Sequence, residues 1–178
     1  LALNKPQGYL CARITSKEKE QGKKSIYDLL PQHLRHISCV GRLDEQSQGL
    51  LLMTNNGDLI QKIISKETQV PKKYVVTTKK TLTEKDVLIL EKGVKINLEE
   101  NGKTHKYLTK PCKINKLSKN QIEIILTEGK KRQIRRMIET TNNEVTKLKR
   151  LSVGQYCLDE QKIPEGQHVE LRITTKII

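Results

Sequence analysis

Short apolar runs and alternating apolar and polar positions occur along most of the chain and predict many strands. The clearest alternation covers residues 121–127, which read QIEIILT. Residues 50–54 read LLLMT and lie between a glycine and an Asn-Asn-Gly sequence, which is typical of a short strand buried on both faces. Further strands are predicted over residues 1–11, with a turn at Pro6 and Gly8, over 71–78, 94–97 and 107–114, and through Val169, Leu171 and Ile173.

Apolar residues spaced for one face of a helix occur in fewer places. Residues 59–64 carry such a stripe, and Asp58 is predicted to cap this helix. Strands that come in runs, with hairpin signals such as Asn101–Gly102 and three or four helices between them, indicate an α+β fold with a mixed, mostly antiparallel sheet. Further helices are predicted after Ser25 as far as Pro31, over residues 83–92 with Gly93 as the stop, and after Gly129.

Composition narrows the choice of function. The 178 residues suffice for one domain or two closely joined lobes, and the formal charge of +14 favours a polyanionic partner. No apolar run approaches the roughly 20 residues of a membrane span, and no secretory signal is visible. The four cysteines form no CxxC pair, which favours reduced thiols in a cytosol-like compartment. The chain opens in the middle of a predicted strand, so we expect a segment of a longer protein.

The segment at residues 40–49 is the first candidate for chemistry. Gly41 permits a turn that a side chain would hinder, and Asp44 follows it just before the predicted buried strand. Asp44 would therefore lie on a rigid loop at the edge of the core, a common setting for a catalytic side chain. The residues alone leave open a structural alternative, in which Asp44 hydrogen-bonds its own turn and Arg42 pairs with a neighbouring carboxylate.

The segment at residues 128–138 is the second candidate. Its pattern predicts a helix with one apolar face and one cationic face. Arginine predominates over lysine on this helix, and it follows a sharp turn, which favours a binding role over a merely solvated charged surface. A further basic group follows at Lys147, Lys149 and Arg150. The apolar face is assigned to Ile134, Met137 and Ile138, and the polar face to Arg132, Arg135, Arg136 and Glu139.

Two other motifs are too incomplete to carry function. His33, His36 and Cys39 provide only three zinc ligands beside a proline, where a structural site needs four. The sequence GKKS at residues 22–25 is similar to the end of a phosphate-binding loop. Lys17, however, stands where that motif requires glycine, and the surroundings are not strand-loop-helix. We therefore expect neither a metal site nor an NTPase.

Several segments stand out, in order, over nearly the whole chain. They are LNKPQG at 3–8, GRLD at 41–44 with Ser47 and the Gly-Leu pair at 49–50, TNNGD at 54–58, KYVV at 73–76, the stretch from Glu128 to Met137, and VTKLKR at 145–150. Together these segments resemble the RsuA/RluB/RluE/RluF family of ribosomal RNA pseudouridine synthases. The N-terminal S4 RNA-binding domain of most members is absent from this chain, and the resemblance implies a single catalytic domain over residues 1–178.

The resemblance implies the pseudouridine synthase fold, with a central RNA-binding cleft, and isomerisation of uridine without a cofactor or metal. Asp44 matches the catalytic aspartate, Tyr74 the tyrosine that packs against the target base, and Arg135 the basic residue that pairs with the aspartate. Arg42 matches an arginine that enters the RNA helix in place of the flipped nucleotide. The other residues expected to contact RNA are Lys5, Lys73, Lys130, Lys131, Arg132, Arg136 and Arg150.

The chemistry agrees with these roles. An ionised carboxylate can form or stabilise an intermediate while the uracil is detached, turned and rejoined. A nearby guanidinium favours the charged form of that carboxylate. The target base must leave its helix, and stacking on Tyr74 can offset part of that cost. Residue types leave open which atom Asp44 attacks.

The sequence favours large-subunit ribosomal RNA as substrate and a cytoplasmic monomer as the acting form. Two alternatives remain. One is a non-catalytic, ribosome-associated RNA-binding module that needs neither Asp44 nor Tyr74. The other is a DNA-binding regulator that uses the helix at residues 132–138 in a major groove, although this leaves the Asp44 and Tyr74 segments unexplained.

Overall fold

The computed structural model describes residues 1–100 and 102–171, and the chain divides into two compact units. Unit 1 contains Leu1–Val70 and the chain from Lys149 onward, and unit 2 contains Pro71–Leu148. The strands are β1 (Ala2–Lys5), β2 (Tyr9–Leu10), β3 (Lys24–Ser25), β4 (Ser38–Cys39), β5 (Gln48–Thr54), β6 (Lys72–Thr78), β7 (Lys95–Glu100), β8 (Lys103–Leu108), β9 (Lys113–Ser118), β10 (Gln121–Leu126), β11 (Val145–Val153), β12 (Tyr156–Cys157) and β13 (His168–Val169). The helices are α1 (Ser16–Glu20), α2 (Gly57–Ile64), α3 (Glu84–Lys92), α4 (Gln133–Glu139) and α5 (Leu158–Gln161), with 3₁₀ turns at Ile26–Leu29 and Gln32–Leu34.

Unit 1 is organised around β1 and β5. Strand β1 pairs antiparallel with β5 on one side and with β13 on the other, and β5 pairs parallel with the Lys149–Arg150 part of β11. The residues of β5 between its two ends are all buried, as predicted for residues 50–54. The core that they join contains Ala2, Val40, Leu50, Leu52, Ile63, Val70, Val153, Leu158 and Ile163.

Unit 2 combines an antiparallel group of strands with a hairpin and two helices. Strand β10 pairs with β6 on one side and β9 on the other, both antiparallel. Strands β7 and β8 form the predicted antiparallel hairpin, and of its predicted turn residues Asn101 lies outside the described residues. Strand β11 starts in unit 2, where the Thr146 hydroxyl donates to the Thr77 carbonyl at 3.1 Å. Strands in runs with short helices between them confirm the predicted α+β class.

Three local predictions need correction. The cap of α2 is Asn56, whose side chain accepts from the Leu59 N–H, and Asp58 lies inside the first turn. Residues 107–114 do not form one strand, because β8 ends at Leu108 and β9 begins at Lys113. The final strand is shorter than predicted: β13 ends at Val169, Leu171 is not in a strand, and Ile173 lies outside the described residues.

None of the helices in the two described ranges has the length and apolar character that crossing a bilayer requires.

Candidate active site

Asp44 lies half-buried on the loop that leads into β5. The loop starts at Gly41, whose φ of 71° agrees with the predicted need for glycine, and the Ser47 N–H closes a turn on the Asp44 carbonyl at 3.0 Å. The turn therefore uses the backbone of Asp44. Among the described residues of unit 1, nothing hydrogen-bonds or ion-pairs with its carboxylate, and Arg42 is exposed. Within the described part of unit 1, the Asp44 carboxylate is therefore available to bind another group.

Lys5, the last residue of β1, holds this loop by hydrogen bonds. Its side chain is fully buried, and Nζ donates to the carbonyls of Pro6 at 2.9 Å, Glu45 at 3.3 Å and Ser47 at 2.7 Å. Burial lowers the pKa of the Lys5 ammonium, and the charges of Cys11, Glu45 and Asp44 oppose that shift. A buried ammonium with three carbonyl acceptors has no surface to offer a phosphate. We therefore assign Lys5 to positioning the loop instead of the predicted RNA contact.

Arg150 has a similar internal position beside β5. It is 3% exposed, and its Nε donates to the Leu50 carbonyl at 2.7 Å. Its backbone meets Gly49 in the parallel pair, where a Cβ on Gly49 would lie 2.2 Å from the Arg150 carbonyl oxygen. Gly49 also has a φ of 104°, so this contact requires glycine. Arg150 thus holds the start of β5, and its burial leads us to replace the predicted RNA contact with this role.

Cys11 provides a further anchor that sequence reasoning did not identify. The Leu43 N–H donates to the Cys11 Sγ at 3.5 Å, directly before Asp44, and the Gly8 N–H donates to the Glu45 carbonyl at 2.8 Å. Cys11 and Leu43 are 32 positions apart and share no motif, so only the fold brings them together. Residues 43–47 are therefore held by three kinds of hydrogen bond. Lys5 of β1 and the Gly8 N–H of the following turn donate to this segment, and the Leu43 N–H donates to Cys11.

In unit 2, Tyr74 is fixed on the inner face of β6. It is 8% exposed and lies opposite Ile124 of β10, with Val76 and Thr78 buried on the same face. Lys73 lies on the other face of the strand and forms an ion pair with Glu123 at 3.3 Å. The position of the Tyr74 ring is therefore set by the strand pairing of this unit.

Arg135 is buried, although the helical pattern assigns it to the polar face of α4. It is 8% exposed, and its Nη1 donates to the Val145 carbonyl at 3.1 Å. Ile134, Met137 and Ile138 are buried as predicted, and Arg136 is partly exposed. The helix begins later than the Gly129 turn suggested, at Gln133.

Glu128 organises the segment that precedes α4, and sequence reasoning did not single it out. Its carboxylate accepts from the Tyr107 hydroxyl at 2.5 Å, the Lys110 N–H at 2.9 Å and the Gln133 Nε2 at 2.6 Å. Gln133 in turn accepts from the Lys130 N–H at 2.8 Å, and the Lys130 Nζ lies 4.6 Å from the centre of the Tyr107 ring. The hydrogen bond to Glu128 is the largest cause that raises the pKa of Tyr107 to about 12. This network gives the basic segment a defined conformation.

The cations that remain at the surface are fewer than predicted. Lys131 and Arg132 are exposed ahead of α4, and Arg132 adopts a left-handed conformation with a φ of 55°. Lys130 and Arg136 are partly exposed in the same segment, while Arg42 is exposed in unit 1. All five keep at least part of their side chains accessible to solvent, in contrast to Lys5 and Arg150.

Comparison with known proteins identifies the family. Residues 1–140 match the family model described as RNA pseudouridylate synthase. The Bacillus subtilis (strain 168) protein named "Uncharacterized RNA pseudouridine synthase YtzG" is 38% identical over 177 residues, covering 96% of this chain and 69% of that protein. The dual-specificity RNA pseudouridine synthase RluF of Escherichia coli (strain K12) is 36% identical, covering 96% and 53%. The ribosomal large subunit pseudouridine synthase B of Vibrio cholerae (strain N16961) is 33% identical, covering 96% and 51%.

A solved pseudouridylate synthase structure has a TM-score of 0.80 to this chain at 29% identity, over 93% of this chain and 66% of that one. This similarity confirms the predicted fold. The chain spans about half to two thirds of the length of the relatives that it matches. The family model covers well over half of the sequence, and the relatives align with nearly all of it. The chain therefore belongs to the RNA pseudouridine synthase family.

Proposed function

We propose that this protein isomerises a specific uridine of ribosomal RNA to pseudouridine, and that the RNA belongs to the large subunit. The observation that carries the proposal is the Asp44 loop, whose carboxylate has no partner within the described part of unit 1 while its backbone is fastened from several sides. A relative named as a ribosomal large subunit synthase supports the choice of RNA. We further propose that both units together make one catalytic domain, which acts as a cytoplasmic monomer.

In this proposal Asp44 carries the covalent or electrostatic part of the reaction. The N-glycosidic bond of uridine breaks, the uracil turns, a C–C glycosidic bond forms, and the C5 proton leaves the base. A carboxylate held on a rigid loop can stabilise or form the intermediate while the detached uracil is retained. Lys5 acts only indirectly, by fixing the backbone at Glu45 and Ser47, which follow Asp44 in the loop.

Tyr74 and Arg135 take the two supporting roles. The Tyr74 ring packs against the flipped base and assists removal of its C5 proton, and its placement in β6 limits the positions that the ring can adopt. Arg135 supplies a positive charge that favours the ionised form of Asp44. A buried arginine suits this role, because a guanidinium is a stronger electrostatic partner away from bulk water.

RNA is held by the accessible cations. Lys130, Lys131, Arg132 and Arg136 contact phosphates, and Arg42 occupies the space that the flipped nucleotide leaves. Lys73 joins them once RNA displaces its ion pair with Glu123, an exchange that a partly solvent-accessible pair permits.

Mapping pseudouridine at single-nucleotide resolution tests the choice of RNA. Large-subunit and small-subunit transcripts are incubated separately with the protein and then treated with a carbodiimide that leaves a stable adduct on pseudouridine. We expect one strong reverse-transcription stop in the large-subunit transcript and none in the small-subunit transcript. A stop only in the small-subunit transcript contradicts the substrate assignment, and RNA binding without any stop favours a non-catalytic binding module.

A further inference from the structure

Two cysteines of unit 1 lie together behind the Asp44 loop. Cys11 follows β2 and Cys39 ends β4, and each is partly accessible to solvent. Cys11 lies beside the Ser25–Tyr27 segment, because Leu10 pairs with Ser25 and the Ser25 hydroxyl donates to the Ala12 carbonyl at 2.6 Å. The Cys11 sulfur accepts from the Leu43 N–H at 3.5 Å, and the Cys39 thiol is the group that acts most strongly on its pKa. The Tyr27 hydroxyl lies 3.8 Å from the Cys39 Sγ. The two sulfur atoms are therefore neighbours, and one of them touches the residue before Asp44.

The surroundings make the two thiols chemically different. The hydrogen bond from Cys39 is the largest cause that lowers the pKa of Cys11, and the Leu43 N–H and the charges of Lys5 and Arg150 act in the same direction. Burial opposes this shift. The pKa of Cys39 is raised, first by its hydrogen bond to Cys11 and then by burial. Cys11 is thus the better nucleophile, and Cys39 is a protonated thiol within its reach.

We propose that Cys11 and Cys39 form a peroxide-sensitive thiol pair, and that joining them as a disulfide disturbs the Leu43–Asp44 loop. The part of this inference that concerns catalysis rests on the proposed function. Neither the spacing of the two residues in sequence nor the family relationship assigns them a role, and the juxtaposition comes from the fold of unit 1.

The chemistry balances with hydrogen peroxide as the oxidant. The Cys11 thiolate attacks one peroxide oxygen, the O–O bond breaks, and hydroxide leaves, so Cys11 becomes a sulfenic acid. The Cys39 thiol then attacks the Cys11 sulfur, the S–O bond breaks, and water leaves as the disulfide forms. Two thiols and one peroxide thus give one disulfide and two waters.

The disulfide affects the loop through Leu43. In the reduced protein the Leu43 N–H has an electron-rich sulfur as its acceptor. A disulfide sulfur is neutral, and it must turn toward Cys39, so the hydrogen bond to Leu43 is weakened or lost. The backbone next to Asp44 then loses one of the hydrogen bonds that hold it, although Lys5 still binds the carbonyls of Glu45 and Ser47.

Peptide mapping and amide exchange after peroxide treatment test the inference without requiring activity. Protein is treated with limiting hydrogen peroxide, its remaining thiols are blocked, and tryptic peptides are mapped by mass spectrometry. We expect a Cys11–Cys39 linkage that dithiothreitol reverses, with faster amide exchange at Leu43 in the oxidised form. Absence of that linkage, or the same linkage with unchanged exchange at Leu43, overturns the proposal.

Two substitutions serve as matched variants. Cys39→Ser removes the resolving thiol, so Cys11 should stop at the sulfenic acid, which dimedone traps. Cys157→Ser removes another partly accessible cysteine of the same unit and should leave the linkage unchanged. Equal loss of the Cys11–Cys39 linkage in both variants contradicts a specific pair.

Pseudouridine formation separates failure of this inference from failure of the proposed function. We expect oxidation to slow the reaction about tenfold, since small displacements of catalytic groups cost at least that much, and reductant to restore it. Reduced protein that forms the disulfide on oxidation but never makes pseudouridine contradicts only the proposed function. Active protein that forms no disulfide contradicts only the thiol pair.

Discussion

The Nζ atom of Lys5 donates a 2.7 Å hydrogen bond to the carbonyl oxygen of Ser47, across 42 positions of sequence. Lys5 ends β1, and Ser47 immediately precedes β5, so this buried bond connects the two paired strands at the point where the Asp44 loop closes. The same ammonium reaches the Glu45 carbonyl, one residue from Asp44. Lys5, a basic residue that composition alone would assign to RNA binding, thus positions the loop that carries the proposed catalytic residue.

Substitution of Lys5 by methionine tests this support. Methionine fills similar space but removes the donor from three carbonyls, of which that of Ser47 is buried, so we expect a loss of about 2–4 kcal/mol in the free energy of unfolding. Urea denaturation followed by circular dichroism measures it. The matched control is Lys17→Met, which changes an exposed lysine of α1 and should leave the free energy within about 0.5 kcal/mol. Equal effects of the two substitutions contradict the assigned role of Lys5.

Substitution of Gly49 by alanine tests the contact between β5 and Arg150. The new Cβ would lie 2.2 Å from the Arg150 carbonyl oxygen at a φ of 104°, so we expect destabilisation of at least about 2 kcal/mol. Gly57→Ala is the control, because a Cβ on Gly57 meets no atom within 4 Å and alanine favours the helix that begins there. Thermal unfolding should show a lower Tm for the first variant only. A similar fall in both would show that the contact is not the cause.

The Tyr107–Glu128 hydrogen bond predicts a pH dependence. It contributes most to raising the pKa of Tyr107 from its ordinary value of 10.0 to about 12. A raised pKa in the folded state means that this contribution to stability is complete below about pH 10 and disappears as the pH rises toward 12. Phenolate absorbance, taken as the difference between wild type and Tyr107→Phe, isolates this residue.

Glu128→Gln should bring that titration back toward pH 10, because a neutral amide accepts a weaker hydrogen bond from the Tyr107 hydroxyl than a carboxylate does and adds no negative charge. Glu100→Gln is a suitable control, since Glu100 pairs with Lys130 at 3.9 Å and does not contact Tyr107 through an equivalent hydrogen bond. If Tyr107 titrates at the same pH in wild type and Glu128→Gln, the carboxylate is not the cause of its late ionisation.

The exposed cations predict how RNA binding depends on salt. Lys131→Ala removes one exposed charge ahead of α4, so the slope of log affinity against log salt should decrease by about 0.7–0.9. Lys62→Ala removes an exposed lysine of α2 and should leave the slope unchanged. Fluorescence anisotropy with a labelled ribosomal RNA fragment over a salt series measures both. Identical slopes for the two variants contradict the assignment of this segment to phosphate binding.

The sequence predicted the secondary structure best where a local pattern decides it. The buried strand at residues 50–54, the alternation at 121–127 and the Gly93 helix stop are present in the structure. Boundaries failed where a tertiary contact decides them. Thr109, for example, turns inward to accept from the Val94 N–H, and this interrupts the strand predicted over residues 107–114.

The prediction of site residues likewise succeeded where a local pattern decides the role and failed where a tertiary contact does. The motif at residues 41–44 was sufficient to single out Asp44, because glycine and aspartate before a buried strand form a local signal. Cys11 and Glu128 gave no such signal, since their partners Leu43 and Tyr107 lie 32 and 21 positions away. Positive charge alone was also an unreliable guide to RNA contacts. The sequence does not distinguish a lysine or arginine that binds a carbonyl inside the protein from one that binds a phosphate outside it.

Release of tritium from RNA that carries C5-labelled uridine tests the central claim most directly, because the C5 proton leaves the base in this isomerisation. The substrate is a large-subunit ribosomal RNA transcript, and wild type is compared with Asp44→Asn and with the neighbouring control Glu45→Gln. We predict release by wild type and by the control, with a loss of at least about 10³-fold in the Asp44 variant. Equal release by wild type and Asp44→Asn, with all three proteins folded and bound to RNA, would contradict the account.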